Sequence, residues 1–325
     1  MASFFRSKIL AEALGKIAEK QPKELRNLCL LLHSEDQESL KVVKEFQDKI
    51  PLNITEVNKV PTPGGSRNLL IEKSDSKWLC FLDDDVVISE NYFETATQII
   101  LNESVDVFGG PDQALADDPK QNLLGKILAS RFVMGPTHIR HDRKTHIQRD
   151  TDEISLTLCN LWIKKEILED ENLKFSEVWN RCEENLLLDQ LESRGKKMSY
   201  FPQLFVYHLR RAAVDQIFAI QLKSGFYRGL HLNHLDAKFK KSFLIPILTG
   251  MGLVILPLIS IKLFIALSLI HFLLNFSTNI KFIKEDSELK LLGYGILVVV
   301  AIHTGFSLGV FAGFMKGKID DFKTS

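Results

Sequence analysis

The last quarter of the chain is far more apolar than the rest, and this asymmetry constrains the fold more than any single motif. FLIPILTGMGLVILPLIS, LFIALSLIHFLLNF and LLGYGILVVVAIHTGFSLGVFAGFM follow one another after residue 240. A helix needs roughly 20 mostly apolar residues to cross a bilayer core. Residues 243–261 and 291–315 satisfy this, whereas 263–280 is only just long enough and carries His271, Asn275 and Asn279. The middle stretch therefore has two readings, a third span or a re-entrant or interfacial helix. Buried helices of a soluble domain are disfavoured, because short polar links separate the three runs. Residues 236–325 are expected to form a membrane domain of about three hydrophobic helices, with membrane lipids as partners. Lys238, Lys240 and Lys241 precede the first run, and the positive-inside tendency places the preceding domain on the cytoplasmic side, at the inner membrane if the source is bacterial. The lysines in KFIKEDSELK and at 316, 318 and 323 favour the same side, which pulls against a count of three spans.

The remainder of the 325 residues has a soluble α/β composition. Lysine plus arginine equals aspartate plus glutamate at 41 each, so net charge gives no support for a nucleic-acid partner, and none is expected. Cys29, Cys80, Cys159 and Cys182 are scattered without a CxxC pair, which argues against a zinc site or a disulfide framework and for reduced thiols. Residues 1–24 predict an amphipathic helix: Phe4, Phe5, Ile9, Leu10, Leu14 and Ile17 fall near helical spacing. That face suits a membrane surface or packing on the chain's own domain.

Residues 25–235 alternate strand-like and helix-like segments, which predicts a mostly parallel sheet flanked by helices. NLCLLLH and LNITEV read as strands, and Ser66 is placed to cap a short helix after the Pro/Gly-rich NKVPTPGGS. Its free N–H groups, with Arg67 beside them, would form an anion site. In KWLCFLDDDVVI, three aspartates directly follow an apolar run. Ligands of open α/β sheets gather at the carboxyl ends of strands, so Asp83, Asp84 and Asp85 would face a crevice. Adjacent carboxylates repel unless a positive charge is shared among them, and a hard divalent cation with oxygen ligands does this well; a solvated acidic turn is the plain alternative.

His138, His141 and His146 lie among arginines and lysines between 131 and 149, a pattern that fits an anion-contacting or solvated loop better than a metal site. Further on, CEENLLLDQLESRG reads as a helix with an acidic start and a Gly stop, and Glu183 and Glu184 there are stabilised by the helix dipole whatever else they do.

Taken in order, GGSRNLLIEKS, WLCFLDDDVVI, DVFGGP, CNLWIKKEIL, CEENLLLDQLESRG and YFPQLFVYH resemble the motif series of inverting family 2 glycosyltransferases with a GT-A fold and a DxD-type motif. The resemblance covers about residues 27–230, and a C-terminal membrane region recurs in lipid-directed members. It implies a membrane-bound glycosyltransferase, of the hexosyltransferase type, that moves a sugar with inversion from a nucleotide-sugar donor to a lipid-linked or glycan acceptor, as in polysaccharide or glycolipid biosynthesis. A divalent cation, Mg²⁺ or Mn²⁺, would be its cofactor.

Carried onto this sequence, the resemblance makes Asp85, Asp83 and His208 metal ligands and places Asp84 nearer the ribose. Arg67 and Asn68 would contact the donor, Gly110 would sit at the Gly-Gly strand end, and Asn160 and Trp162 would belong to the acceptor segment. Glu184 aligns with the family's general base and Glu183 with the acid before it, so the role is shared between them. Two departures stand out: the base position holds Glu rather than Asp, and ITEVNKV lacks the usual nucleotide-contacting aspartate. The absence of QxxRW disfavours a processive synthase. A metal-dependent nucleotidyltransferase and a catalytically silent GT-A-like membrane assembly protein are the competing readings. The first lacks its Gly-rich, basic phosphate loop, because LLLHSEDQES is acidic.

Overall fold

The computed structural model describes residues 1–20, 25–114, 118–234, 240–286 and 289–324. Lys238 and the sequence-drawn boundaries at 24 and 235 lie outside them. The elements in chain order are α1 (Ser7–Lys20), β1 (Leu28–His33), α2 (Gln37–Phe46), β2 (Leu52–Val57), α3 (Pro63–Glu72), β3 (Trp78–Phe81) and β4 (Val86–Ile88). There follow α4 (Tyr92–Asn102), β5 (Val107–Gly109), β6 (Asp112–Ala114), α5 (Pro119–Leu128), α6 (Arg131–Met134), β7 (Gln148–Arg149), β8 (Leu161–Lys164) and α7 (Lys165–Asp170). The last are α8 (Glu183–Ser193), β9 (Met198–Tyr200), β10 (Val206–His208), α9 (Val214–His231), α10 (Leu244–Ile259), α11 (Ile261–Asp286) and α12 (Leu292–Thr324). They form two compact units, one of residues 1–113 and 139–209, the other of 114–138 and 210–325. The second unit thus takes in a stretch between β6 and β7, and α9, besides the apolar tail.

The sheets of the first unit are mixed and flanked by helices. β1 and β2 pair in parallel. In the five-stranded sheet, ordered β3-β8-β5-β9-β7, β5 and β9 are parallel while β8 runs antiparallel between β3 and β5. β4-β10-β6 forms a third sheet, with β10 antiparallel to β4. The apolar face of α1 is spent on the protein itself: Leu10, Leu14 and Ile17 are buried with Leu30, Leu32, Val43, Val86 and Ile88. Burying such side chains contributes roughly 1.5–3 kcal/mol each, so the segment 1–20 is part of the domain rather than a free membrane-surface helix.

The cap of α3 differs from the sequence expectation. Thr62, not Ser66, accepts from Gly65 N at 3.2 Å, and Pro63 takes the first helical position, where its fixed φ suits the turn. Ser66 N is consequently bonded to Thr62 O at 2.9 Å and is not a free donor for an anion. Gly64 is needed where it stands, since a Cβ would come within 2.0 Å of Ser176 O.

In the second unit, three helical stretches among the described residues are long and apolar enough to cross a membrane: Lys241–Ile259, Ile261–Lys284 and Leu289–Lys318. The third is the central one, with 50% of its apolar window buried against 11% in each of the others. α11 is continuous through its polar positions, and these positions face α12: His271 Nε2 and His303 Nδ1 are 2.8 Å apart, and Asn275 Nδ2 donates to Ile296 O at 3.0 Å. Satisfying such groups on a neighbouring helix is the usual way they are tolerated at membrane depth.

Glycines 305, 309 and 313 of α12 form a stripe against α9, and Gly317 continues it against Asn233 just beyond that helix. A Cβ on Gly309 would lie 2.2 Å from Leu222 O, and one on Gly313 2.0 Å from Phe226 O. The paired positions rise together along both chains, so the two helices run parallel. We expect Gly309→Val to force them apart and to lower the thermal unfolding temperature of the detergent-solubilised protein by several degrees, the scale of an overpacked core; an unchanged melting curve would mean the seam is looser than described.

Candidate active site

β3 delivers its aspartates to a place where cations from three other parts of the chain meet them. Arg67, in the first turns of α3, lies 2.5 Å from Glu183 Oε1 and 3.7 Å from Asp83 Oδ1. Arg6, just before α1, binds Asp84 Oδ1 at 2.5 Å through Nη1 and Asp85 Oδ2 at 2.9 Å through Nη2. His208, the last residue of β10, places Nε2 3.2 Å from Asp85 Oδ1 and Nδ1 3.3 Å from Asp112 Oδ2. Ser3 Oγ completes Asp84 by donating to Oδ2 at 2.7 Å.

These environments separate the three aspartates. Asp83 is the open one, its side chain 42% exposed. Asp84 is buried, both carboxylate oxygens engaged; its burial outweighs Ser3 and Arg6 and moves its pKa upward. For Asp85 burial also acts upward, but the bond and charge of His208 and then Arg6 together overcome it and hold the carboxyl at about 2. His208 is the converse case. Burial favours its neutral form, yet the carboxylates of Asp112 and Asp85 outweigh burial and raise the imidazole well above its ordinary value.

Asp112, which no sequence motif marks, organises this region. Besides His208 it contacts His141 Nδ1 and lies 3.7 Å from Cys159 Sγ. A carboxylate on one ring nitrogen fixes which nitrogen faces away from it, the arrangement found behind metal-bound histidines. The signal available was its position directly after the Gly-Gly-Pro strand end. Ligand atoms of Asp112, Cys159 and His208 all lie within 4.8 Å of one another, a group able to hold a metal ion. His141 thus leaves the loop it was read with and joins the site, while Cys159, pushed up to about 11 by burial and then by Asp112, is a protonated thiol.

α8 begins at Glu183, and Cys182 before it is held in the left-handed region at φ 61°. Such a conformation in a residue with a side chain costs on the order of 1 kcal/mol or more; here it turns the chain into α8. Glu183 is 4% exposed, and burial, then the charge of Glu184, push its carboxyl up to about 7 against the pull of Arg67. Glu184 is only partly buried and has no ion-pair partner among the described residues. The pair is therefore more than a dipole match at a helix start.

The remaining sequence candidates sit behind these groups. Asn68 is committed to the backbone of Phe175, donating to its O at 2.9 Å and accepting from its N at 3.0 Å, and it also reaches Glu177. It ties α3, and so Arg67, to the connection between α7 and α8. Gly110 lies where a Cβ would meet Leu204 O at 1.8 Å. Asn160 is fully buried, accepting from Tyr92 OH at 2.6 Å and donating to Leu204 O at 2.7 Å. Trp162 donates to Tyr92 OH at 3.0 Å and stacks on Phe108. Ion pairs thus gather Asp83 and Glu183 on Arg67, and separately Asp84 and Asp85 on Arg6 with His208 on Asp85, whereas Asn68, Gly110, Asn160 and Trp162 hold the frame.

The chain has relatives in both sequence and structure. The profile described as Glycosyltransferase like family 2 matches residues 1–223. The chain is 25% identical over 209 residues to the minor teichoic acid biosynthesis protein GgaB of Bacillus subtilis (strain 168), a match covering 62% of this chain and 21% of GgaB. It therefore spans about a fifth of the length of that relative. S. aureus TarS 1–349 in complex with UDP is similar with a TM-score of 0.52 at 14% identity, over 94% of this chain and 88% of that one. The mannosyltransferase PcManGT from Pyrobaculum calidifontis, in complex with GDP-Man and Mn²⁺, is similar with a TM-score of 0.58 at 10% identity, over 93% and 85%. At such identities the structural likeness speaks for the fold alone, which is of the GT-A type. With its matched profile covering well over half of the residues, the chain belongs to the Glycosyltransferase like family 2.

Proposed function

We propose that the protein transfers a sugar, with inversion, from a nucleotide-diphospho-sugar to a hydroxyl of a lipid-linked or otherwise membrane-proximal acceptor, with the assistance of a divalent cation. The observation that carries this reading is that, directly after β3, Arg67 joins Asp83 to Glu183 while Arg6 and His208 meet Asp85. Two carboxylates and an imidazole suit a transition-metal ion better than Mg²⁺, so Mn²⁺ fits the donor set best, with Asp83, Asp85 and His208 as the residues that would hold it. An ion held by them would supply positive charge to offset that building on the departing diphosphate.

The chain's own groups supply the rest. Asp112 keeps His208 Nε2 directed at Asp85. Arg67 is held by Glu183 beside Asp83, where its guanidinium reaches donor phosphates. Glu184 is the carboxylate an acceptor hydroxyl can approach, and we assign it as the general base. It takes the hydroxyl proton as the acceptor oxygen forms its bond to the anomeric carbon from the face opposite the phosphate; the carbon–phosphate-oxygen bond breaks with its electron pair leaving on the nucleoside diphosphate. Glu183 positions Arg67. The apolar helices of the second unit favour an acceptor at a membrane, and Lys240 and Lys241 before the first of them favour a cytoplasmic site.

Glu184→Gln is expected to bind donor as the wild type does and to lose transfer by about 10²- to 10⁴-fold, the range for a positioned acid–base group. If Glu183→Gln alone carries the loss, the base is Glu183; if neither variant is impaired, the pair is only a helix start. For the orientation, a cysteine introduced at Ser34 should be shielded from an impermeant thiol reagent in intact cells and labelled in inverted vesicles, and labelling in intact cells would place the site outside.

A further inference from the structure

Arg6 stands outside every motif that marks the family, yet it contacts two of the three aspartates. Its delivery is built into the fold. Residues 2–6 are tied down by the Ala2–Leu31 bridge, by Ser3 N to Leu31 O at 3.0 Å and by Phe5 N to Asp36 Oδ2 at 2.6 Å. Immediately after, α1 is anchored by Leu10, Leu14 and Ile17. The guanidinium therefore sits on Asp84 and Asp85 as part of the folded domain, with its side chain 34% exposed.

We propose that Arg6 is a resident counter-cation of the donor site: it weakens binding of a bare divalent ion and favours entry of that ion together with a nucleoside diphosphate. This rests on the reading of Asp83, Asp85 and His208 as the metal-holding residues. The reasoning is electrostatic. A bare Mn²⁺ approaching Asp85 meets a carboxylate already neutralised at 2.9 Å and a fixed positive charge beside it. A complex of Mn²⁺ with a nucleoside diphosphate carries net negative charge at neutral pH, and the same guanidinium attracts it. Arginine suits the task because its charge is permanent and its fork spans two carboxylates at once. Arg6 is thus a positioning residue that sets which form of the metal is admitted.

The test is electron paramagnetic resonance titration of Mn²⁺ with the purified full chain, alone and with saturating UDP or, in parallel, GDP. Arg6→Gln is expected to bind bare Mn²⁺ roughly tenfold more tightly than wild type, as follows from removing one nearby unit charge at a half-exposed site. The tightening of Mn²⁺ binding by nucleotide should shrink by a similar factor. Arg6→Lys should resemble wild type, and Ser3→Ala, which loses only a neutral donor to Asp84, should leave bare Mn²⁺ affinity unchanged. If Arg6→Gln does not fold, Arg6→Met, which keeps the aliphatic stem, takes its place. Unchanged or weaker Mn²⁺ binding by a folded Arg6→Gln protein would overturn the inference, as would a Ser3→Ala effect of equal size, since arm docking rather than charge would then be responsible. Absence of Mn²⁺ binding by wild type even with nucleotide would overturn the metal reading and this inference with it.

Discussion

Three consecutive aspartates at the end of a strand repel one another, and the domain is arranged around supplying every one of them with a cation. Asp83 is served from α3 by Arg67, Asp84 from the N-terminal arm by Arg6, and Asp85 by Arg6 and by His208 at the end of β10. Unpaired, carboxylates so close together and partly buried would take up protons and lose the charge that makes them useful. Each pairing therefore fixes where a separate stretch of chain has to be. The arm of residues 2–6 is held against β1, α3 against the segment around Phe175, and β10 beside β4.

Much of the remaining polar architecture serves these placements. Asn68 spends its side-chain amide on Phe175, and Gly64 allows the backbone at Ser176 to come close, so that Arg67 stands between Asp83 and Glu183. Gly110 admits the 201–204 turn, while Asn160 bonds Leu204 O and Tyr92 OH; together they lock the turn that leads into β10 and His208. Behind His208, Asp112 sets the ring orientation, and His141 and Cys159 close around Asp112. Carboxylates so differently surrounded can take different parts in one reaction: Asp85 stays ionised, Glu183 titrates near neutrality, and Asp83 remains open to a ligand.

The sequence disclosed the groups that lie at the ends of apolar runs. The aspartates after WLCF, the histidine after FVY and the acidic pair before LLLDQL are each announced by the change from apolar to polar at an element boundary. Helix and strand order and the three apolar helices follow from the same hydropathy pattern, whereas the GT-A class rests on the resemblance of the motif series to a known family. What it did not disclose depends on contacts between residues far apart. Arg6 and Asp84 are 78 positions apart, and nothing local distinguishes that arginine from the basic residues of the amphipathic helix it precedes. Asp112 and His208 are 96 positions apart, and His141 was read with its basic neighbours rather than with the carboxylate it meets. The cap of α3 was misplaced by four residues because a serine beside Arg67 looked as good a cap as Thr62, and only the backbone shows Pro63 opening the helix. Gly110, Asn160 and Trp162 share the family's motif positions but are buried, a distinction that a linear pattern does not carry.

The central claim is that Asp85 and its neighbours receive the diphosphate of a nucleotide sugar through a shared divalent cation. Calorimetric titration of the full chain with UDP, and in parallel with GDP, in the presence and absence of Mn²⁺, tests it most directly when repeated on Asp85→Asn, an isosteric change that removes charge and almost no volume. The account predicts that one of the two nucleotides binds wild type much more tightly with Mn²⁺, and that Asp85→Asn abolishes the Mn²⁺-dependent part while the protein remains folded. Nucleotide affinity that is indifferent to Mn²⁺ in the wild type, or a Mn²⁺ effect that survives in Asp85→Asn, would contradict it.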